Sequence, residues 1–170
     1  MSPVVVAVTL VGLARLAELL LAARNTRRLL AKGGVEHGRA HYVLFVLLHG
    51  GWLAGLLWTV PPDRWPDPWL TGLFVLLQAA RVWIIATLGE RWTTRIVVLP
   101  DAPLVRSGPY RWLRHPNYAV VVLEIALLPL AFGAVGLAVA FSILNGLLLR
   151  HRIGVEDRAL GRARGLADAA

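Results

Sequence analysis

Residues 107–149 read SGPYRWLRHPNY and then, without a break, AVVVLEIALLPLAFGAVGLAVAFSILNGLLL. The first part is polar, Arg-rich and punctuated by Pro109 and Pro116, while Ala119–Leu149 is an apolar run of 31 residues. One bilayer crossing takes about 20 apolar residues, so the run is too long for one span and short for two. Pro129, Gly133 and Gly136 put a break near its middle. A helical hairpin is expected, with arms of roughly 23 Å each by helix rise and a tip that stops short of the far surface. A hairpin returns the chain to the face it left. Arg150, Arg152, Glu156 and Asp157 are therefore expected beside Arg114–Tyr118.

The rest of the composition agrees with a membrane setting. Apolar residues make up 57% of the chain and charged ones 16%, with a mean hydropathy of +0.62. A soluble domain of this size is about half apolar and about one-quarter charged. The net charge of +8 falls between apolar runs, as the positive-inside rule places it, and is not gathered on one face for nucleic acid. The chain has no Cys, which excludes disulfides, Cys-ligated zinc or iron–sulfur clusters and a Cys nucleophile. No metal ligand set is expected.

Three further spans precede the hairpin, at about Pro3–Ala23, His41–Val60 and Trp69–Leu88. The first lacks a small-residue cleavage site and reads as a retained helix. It carries Arg15 and Glu18 at i,i+3, and the third carries Gln78 and Arg81 at the same spacing. Ionisable side chains inside a span face protein, either as a packing network or as the wall of a polar cavity. His49, mid-span, reads as a packing hydrogen-bonder in preference to a ligand. Gly51 and Gly55 form a small-xxx-small pattern suited to close helix approach, within or between chains, so oligomeric state stays open.

Between spans one and two lie Arg24, Arg27, Arg28, Lys32 and Arg39; between three and four lie Arg91, Arg95, Arg106, Arg111 and Arg114. Both loops read as cytoplasmic. The Pro61–Pro68 turn, flanked by Trp58, Trp65 and Trp69, reads as external, with an aromatic belt. The expectation is a single all-α membrane domain over residues 1–170. Its five spans lie at about 3–23, 41–60, 69–88, 118–132 and 134–150, with the N-terminus outside and the C-terminus inside. Gly89–His115 is too Pro-rich for one helix and reads as an ordered loop with a short extended piece at Arg95–Leu99.

In RHPNY, Pro116 suits the first turn of a helix, with His115 or Asn117 near the cap. His115 and Tyr118 are i,i+3 and can face one ligand; Arg152 stands one turn from Glu156. Opposite charges beside an apolar hairpin suit a ligand that is zwitterionic at one end and greasy at the other. Interfacial anchoring by snorkelling Arg, Tyr and Trp is the competing reading.

The ordered set Gly108-Pro-Tyr110, Arg114-His-Pro-Asn-Tyr118, hairpin, Arg150-x-Arg152-x-x-x-Glu156 resembles the isoprenylcysteine carboxyl methyltransferase family over about Leu88–Leu160. That resemblance implies an integral membrane enzyme using S-adenosylmethionine, with a site built from about 100–118 plus 150–160. By position, it implies cofactor contacts at Ala102, Pro103, Leu104, Val105, Tyr110, His115, Pro116, Asn117, Tyr118 and Glu156. It puts the acceptor-side cation at Arg152, with His115 and Arg114 as further candidate catalytic residues. Arg15-x-x-Glu18, Asn25 and LGERWTTRI also resemble a bacterial branch associated with type III polyketide synthases, which implies a long-chain alkylpyrone or alkylresorcinol acceptor in a bacterial inner membrane. Val120 stands where the family often has Gly, and Gly161–Ala170 replaces an aromatic, basic tail. A sterol-reductase-like NADPH enzyme and a small transporter or assembly factor are the alternatives.

Overall fold

The computed structural model describes residues 2–38, 42–100 and 102–167, with side chains as far as Gly161. The expected span start at His41, and the last three residues of the tail, lie outside the described residues. In chain order the elements are α1 (Pro3–Ala31), β1 (Val35–His37), α2 (Tyr42–Thr59), α3 (Pro68–Leu88), β2 (Ile96–Val98), α4 (Pro116–Ala131) and α5 (Val135–Ala167). Four helical stretches are long and apolar enough to cross a membrane: Pro3–Ala31, Tyr42–Thr59, Pro68–Arg91 and Val135–Gly161, with α4 a shorter apolar helix. The protein is an all-α integral membrane protein carrying one small β-ribbon.

Its surface is that of a lipid-solvated body. Leu10, Leu47, Leu76, Val82 and Leu147 face outward, and Trp58, Trp65 and Trp69 project at the α2–α3 turn. Inside, Trp52, Leu56, Ile125, Leu128 and Phe132 form the main core. The Trp52 indole N–H donates to the Ile125 carbonyl at 3.1 Å, so this buried donor is satisfied. The Gly51–Gly55 face of α2 receives α5: a Cβ on Gly55 would stand 2.6 Å from Leu137. That small-residue face therefore serves packing within the chain.

The hairpin forms, with corrections. Its turn lies at Phe132–Ala134, where Gly133 has φ +74°, while Pro129 lies inside α4 and Gly136 inside α5 rather than at the break. The tip reaches the α2–α3 turn. The Asp67 N–H donates to the Ala131 carbonyl at 2.7 Å, which joins the tip to the turn that opens α3. The return arm runs past 150 to Ala167, because its buried face continues through Arg152 and Ala159 onto Ile96 and Val98. Similarly, α1 runs past Ala23 to Ala31. Asn25 there is 1% exposed and donates to the carbonyls of Gly89 and Trp92 at 3.1 and 3.0 Å.

The extended piece near Arg95–Leu99 is β2. Its partner β1 lies in what the charge pattern marked only as a basic loop. The pair is antiparallel, with Val35 opposite Val98 and His37 opposite Ile96. Arg95 pairs with Glu36 at 3.2 Å across it.

The short α4 creates the recess that matters. At one end it meets the start of α3, and near the other Asn117 meets Arg81. Arg81 lies seven residues before the end of α3, about 10 Å of helix. The chain before α4 fills part of that step. A 3-10 turn at Gly108–Arg111 packs on α3 so closely that a Cβ on Gly108 would meet Thr87 Oγ1 at 2.6 Å.

Candidate functional site

A cavity of about 1050 Å³ occupies the recess. Its floor is the start of α4, its back wall α5, and its rim the loop from Arg91 to Leu113. Two local features shape that rim. The Arg91 guanidinium donates to the Pro103 carbonyl, holding the Ala102–Val105 strap, and Pro109 is buried at the 3-10 turn. Ala102, Pro103, Leu104, Val105, Tyr110, Arg114, His115, Asn117, Tyr118, Arg152 and Glu156 all line the cavity. Pro116 is the exception. It is buried in the first turn of α4 and supports the floor from behind.

The hairpin brings the two halves together through Tyr118. Arg152 Nε donates to the Tyr118 hydroxyl at 2.9 Å, and that hydroxyl donates to Glu156. Arg152 Nη2 donates to the Thr94 carbonyl at 2.9 Å, and its guanidinium lies 5.3 Å over the Phe45 ring. A cation 8% exposed is held on three sides, with Nη1 used by neither bond. Arg152 and Glu156 do not pair directly as neighbours on α5; the tyrosine joins them.

His115 stacks on Tyr118 with ring centroids 5.2 Å apart. As the N-cap of α4 its side chain bonds no backbone N–H. It stands between carboxylates instead, Nδ1 4.0 Å from Glu156 and Nε2 3.6 Å from Asp157. Arg114 reaches outward, two-thirds exposed, to Asp157 at 2.9 Å. It works as a tether between α5 and the loop before α4. Burial, with the Glu156 charge second, pushes the Tyr110 phenol above its ordinary range and keeps it neutral.

Two residues at the cavity were not among the expected site residues. Trp92 lines the cavity, is 3% exposed, and its indole N–H is buried without a partner. An unpaired buried donor is uncommon in a folded protein. Glu124, alone in the apolar run, accepts from Arg81 and Gln78 just below the cavity floor. A single acid two turns beyond Asn117 was the available clue. Among the described residues no three His, Asp or Glu side chains gather as a metal site.

The sequence comparisons meet this geometry. The model of the isoprenylcysteine carboxyl methyltransferase (ICMT) family matches residues 70–162, α3 through the site-bearing part of α5. The chain belongs to the isoprenylcysteine carboxyl methyltransferase family. It is 39% identical over 150 residues to the uncharacterized protein YpbQ of Bacillus subtilis (strain 168), covering 86% of this chain and 89% of that protein. An uncharacterized protein of Haemophilus influenzae is 26% identical over 151 residues, covering 86% and 88%. The cobalt-zinc-cadmium resistance protein CzcN of Cupriavidus metallidurans is 35% identical over 107 residues, covering 59% of this chain and 47% of that protein. No solved structure gives a significant match.

Membership of the ICMT family implies a membrane methyltransferase, and members use S-adenosylmethionine. The cavity's residues fit that group. Glu156, its carboxylate about one-quarter exposed, suits a cationic ligand. Leu104, Val105 and Tyr110 offer apolar surface, and Trp92 offers an unclaimed donor.

Proposed function

We propose that this chain is an S-adenosylmethionine-dependent O-methyltransferase acting on a lipid-tailed acceptor. The acceptor is isoprenylcysteine-like, or a long-chain alkylpyrone or alkylresorcinol of the type III polyketide kind. The observation that carries this reading is Arg152: a buried guanidinium at the cavity wall, anchored by Tyr118 and Thr94, with one nitrogen to spare. A fixed cation beside an apolar bundle suits an acidic hydroxyl or carboxylate on a greasy molecule.

When bound, the cofactor supplies a methyl group on a sulfonium, and its in-line transfer needs a dry site with the acceptor oxygen about 3 Å away. Arg152 holds that oxygen and favours its anion, so an enolic pyrone oxygen or a carboxylate requires no strong base. For a neutral phenol, His115 takes the proton, flanked by Glu156 and Asp157. Glu156 balances the positive charge of the cofactor, while Tyr110 and Tyr118 pack against it. Ala102–Val105 and Asn117 would hold it, with Asn117 as a donor, and Arg114 would close the rim through Asp157. With the N-terminus outside, the cavity would open to the cytoplasm for the cofactor, and a lipid-tailed acceptor would reach it between spans.

Purified protein is titrated with labelled S-adenosylmethionine, then incubated with it and bacterial lipid extracts. Saturable binding lost in Glu156→Ala, and label transferred to a lipid, are the expected results. Absence of binding by the parent protein overturns the reading.

A further inference from the structure

Four charged residues lie inside the helices beneath the cavity floor. Arg81 on α3 meets Glu124 on α4 through two nitrogens, Nε to Oε1 at 3.0 Å and Nη2 to Oε2. Gln78 donates to Glu124 Oε1 at 2.6 Å and accepts from Arg15 at 2.9 Å. Arg15 pairs with Glu18 at 3.0 Å, and Glu18 lies 3.6 Å from Arg81. Two cations and two anions balance, so the cluster is neutral as a whole. Arg81 and Glu124 are 4% and 5% exposed.

Holding helices together does not require such a cluster. Well-packed apolar side chains do that without the cost of stripping water from four charges, and replacing buried pairs by them is often neutral or stabilising. Ionisable groups at this depth call for a job that only they can perform. The cluster has one output towards the cavity: Arg81 Nη1 donates to Asn117 Oδ1 at 3.4 Å. Asn117 lines the cavity and sits in the first turn of α4.

The chemistry of the contact is one-way. A guanidinium only donates, so the Asn117 amide must present its oxygen to Arg81. Its Nδ2 takes no part in that contact and is left for an acceptor in the cavity. Glu124, gripping Arg81 through two nitrogens, stops the guanidinium from turning away. Gln78 and Arg15 brace Glu124 in turn. Resting on the proposed cofactor site, we propose that the Arg81–Glu124 cluster is a positioning device that locks the Asn117 amide donor-outward for the cofactor.

The test is a double-mutant cycle on labelled S-adenosylmethionine affinity, with the thermal midpoint measured in parallel. The paired Arg81→Met, Glu124→Leu variant keeps the volume and removes both charges. It is expected to stay folded and to bind the cofactor about tenfold more weakly, the scale of one oriented hydrogen bond. Asn117→Ala is expected to cost a similar factor. The two changes together should cost no more than Asn117→Ala alone, because the cluster acts only through that amide. Should the apolar pair fail to fold, Arg81→Lys, which keeps the charge but not the fork, completes the cycle with the same expectation. Parent-like affinity without the cluster, or losses that multiply, overturns the inference while leaving the cofactor reading intact. A parent protein that binds no S-adenosylmethionine overturns both.

Discussion

Arg152 Nε donates to the Tyr118 hydroxyl at 2.9 Å, across 34 residues of sequence and from one arm of the hairpin to the other. The same hydroxyl donates to Glu156, so one phenol sets the distance between the cation and the anion of the site. Neither charged side chain reaches this geometry from α5 alone.

Removing that hydroxyl therefore disturbs both charges at once. Tyr118→Phe keeps the stack on His115 and loses the bridge. Cofactor affinity should fall about tenfold, since hydrogen bonds to charged groups are each worth about 1.5–3 kcal/mol. A titration with labelled S-adenosylmethionine measures it, and unchanged affinity would show that Glu156 is positioned by other means.

Arg152→Lys tests the fork. The guanidinium spends Nε on Tyr118 and Nη2 on Thr94, which leaves Nη1 fixed in place. Lysine retains the charge as a mobile point and cannot make that divided grip. Methyl transfer should drop by about 100-fold, the cost of a misplacement near 1 Å, while cofactor binding changes little. Equal losses in both would mean that Arg152 serves the cofactor.

Glu124→Ala leaves Arg81 buried with its bidentate partner gone. Breaking one side of a buried pair costs about 3–5 kcal/mol. The thermal midpoint in detergent should fall sharply, and further than for the apolar pair Arg81→Met, Glu124→Leu. A midpoint equal to the parent's would mean that water reaches Arg81.

Asn145 makes the opposite case. It is 1% exposed on α5, and neither amide atom has a partner. Asn145→Leu should raise stability by about 1–3 kcal/mol, the penalty of an unsatisfied buried amide. A lower midpoint would show that the amide holds a bound molecule.

Tyr110 predicts an alkaline limit. Its folded-state value lies above the ordinary 10.0, so folding favours the neutral phenol. That stabilisation is complete below pH 10 and is lost as pH rises above it. The midpoint should decline above about pH 10, and decline less in Tyr110→Phe, which keeps the ring.

The sequence by itself determined the class of protein, because apolar runs of span length leave a chain no other solvent. It also carried the hairpin and the membership of most of the cavity lining. A break at Gly133 forces residues on either side of the run together, and the motifs on both sides are local. Local rules also foretold the Arg15–Glu18 pair and the helix opening at Pro116. Four things waited for tertiary structure. The β1 strand, three residues long, has no pattern of its own and exists because β2 lies beside it. The tip contact between Asp67 and Ala131, and the continuation of α5 to Ala167, depend on what each backbone meets across the bundle. The cluster beneath the floor depends on three helices at once. Arg81 and Glu124 are 43 residues apart, and no helical period relates residues on separate helices. For the Ser107–Tyr118 segment, the local motif marked residues that line the cavity, but the guanidinium that meets Asn117 comes from α3.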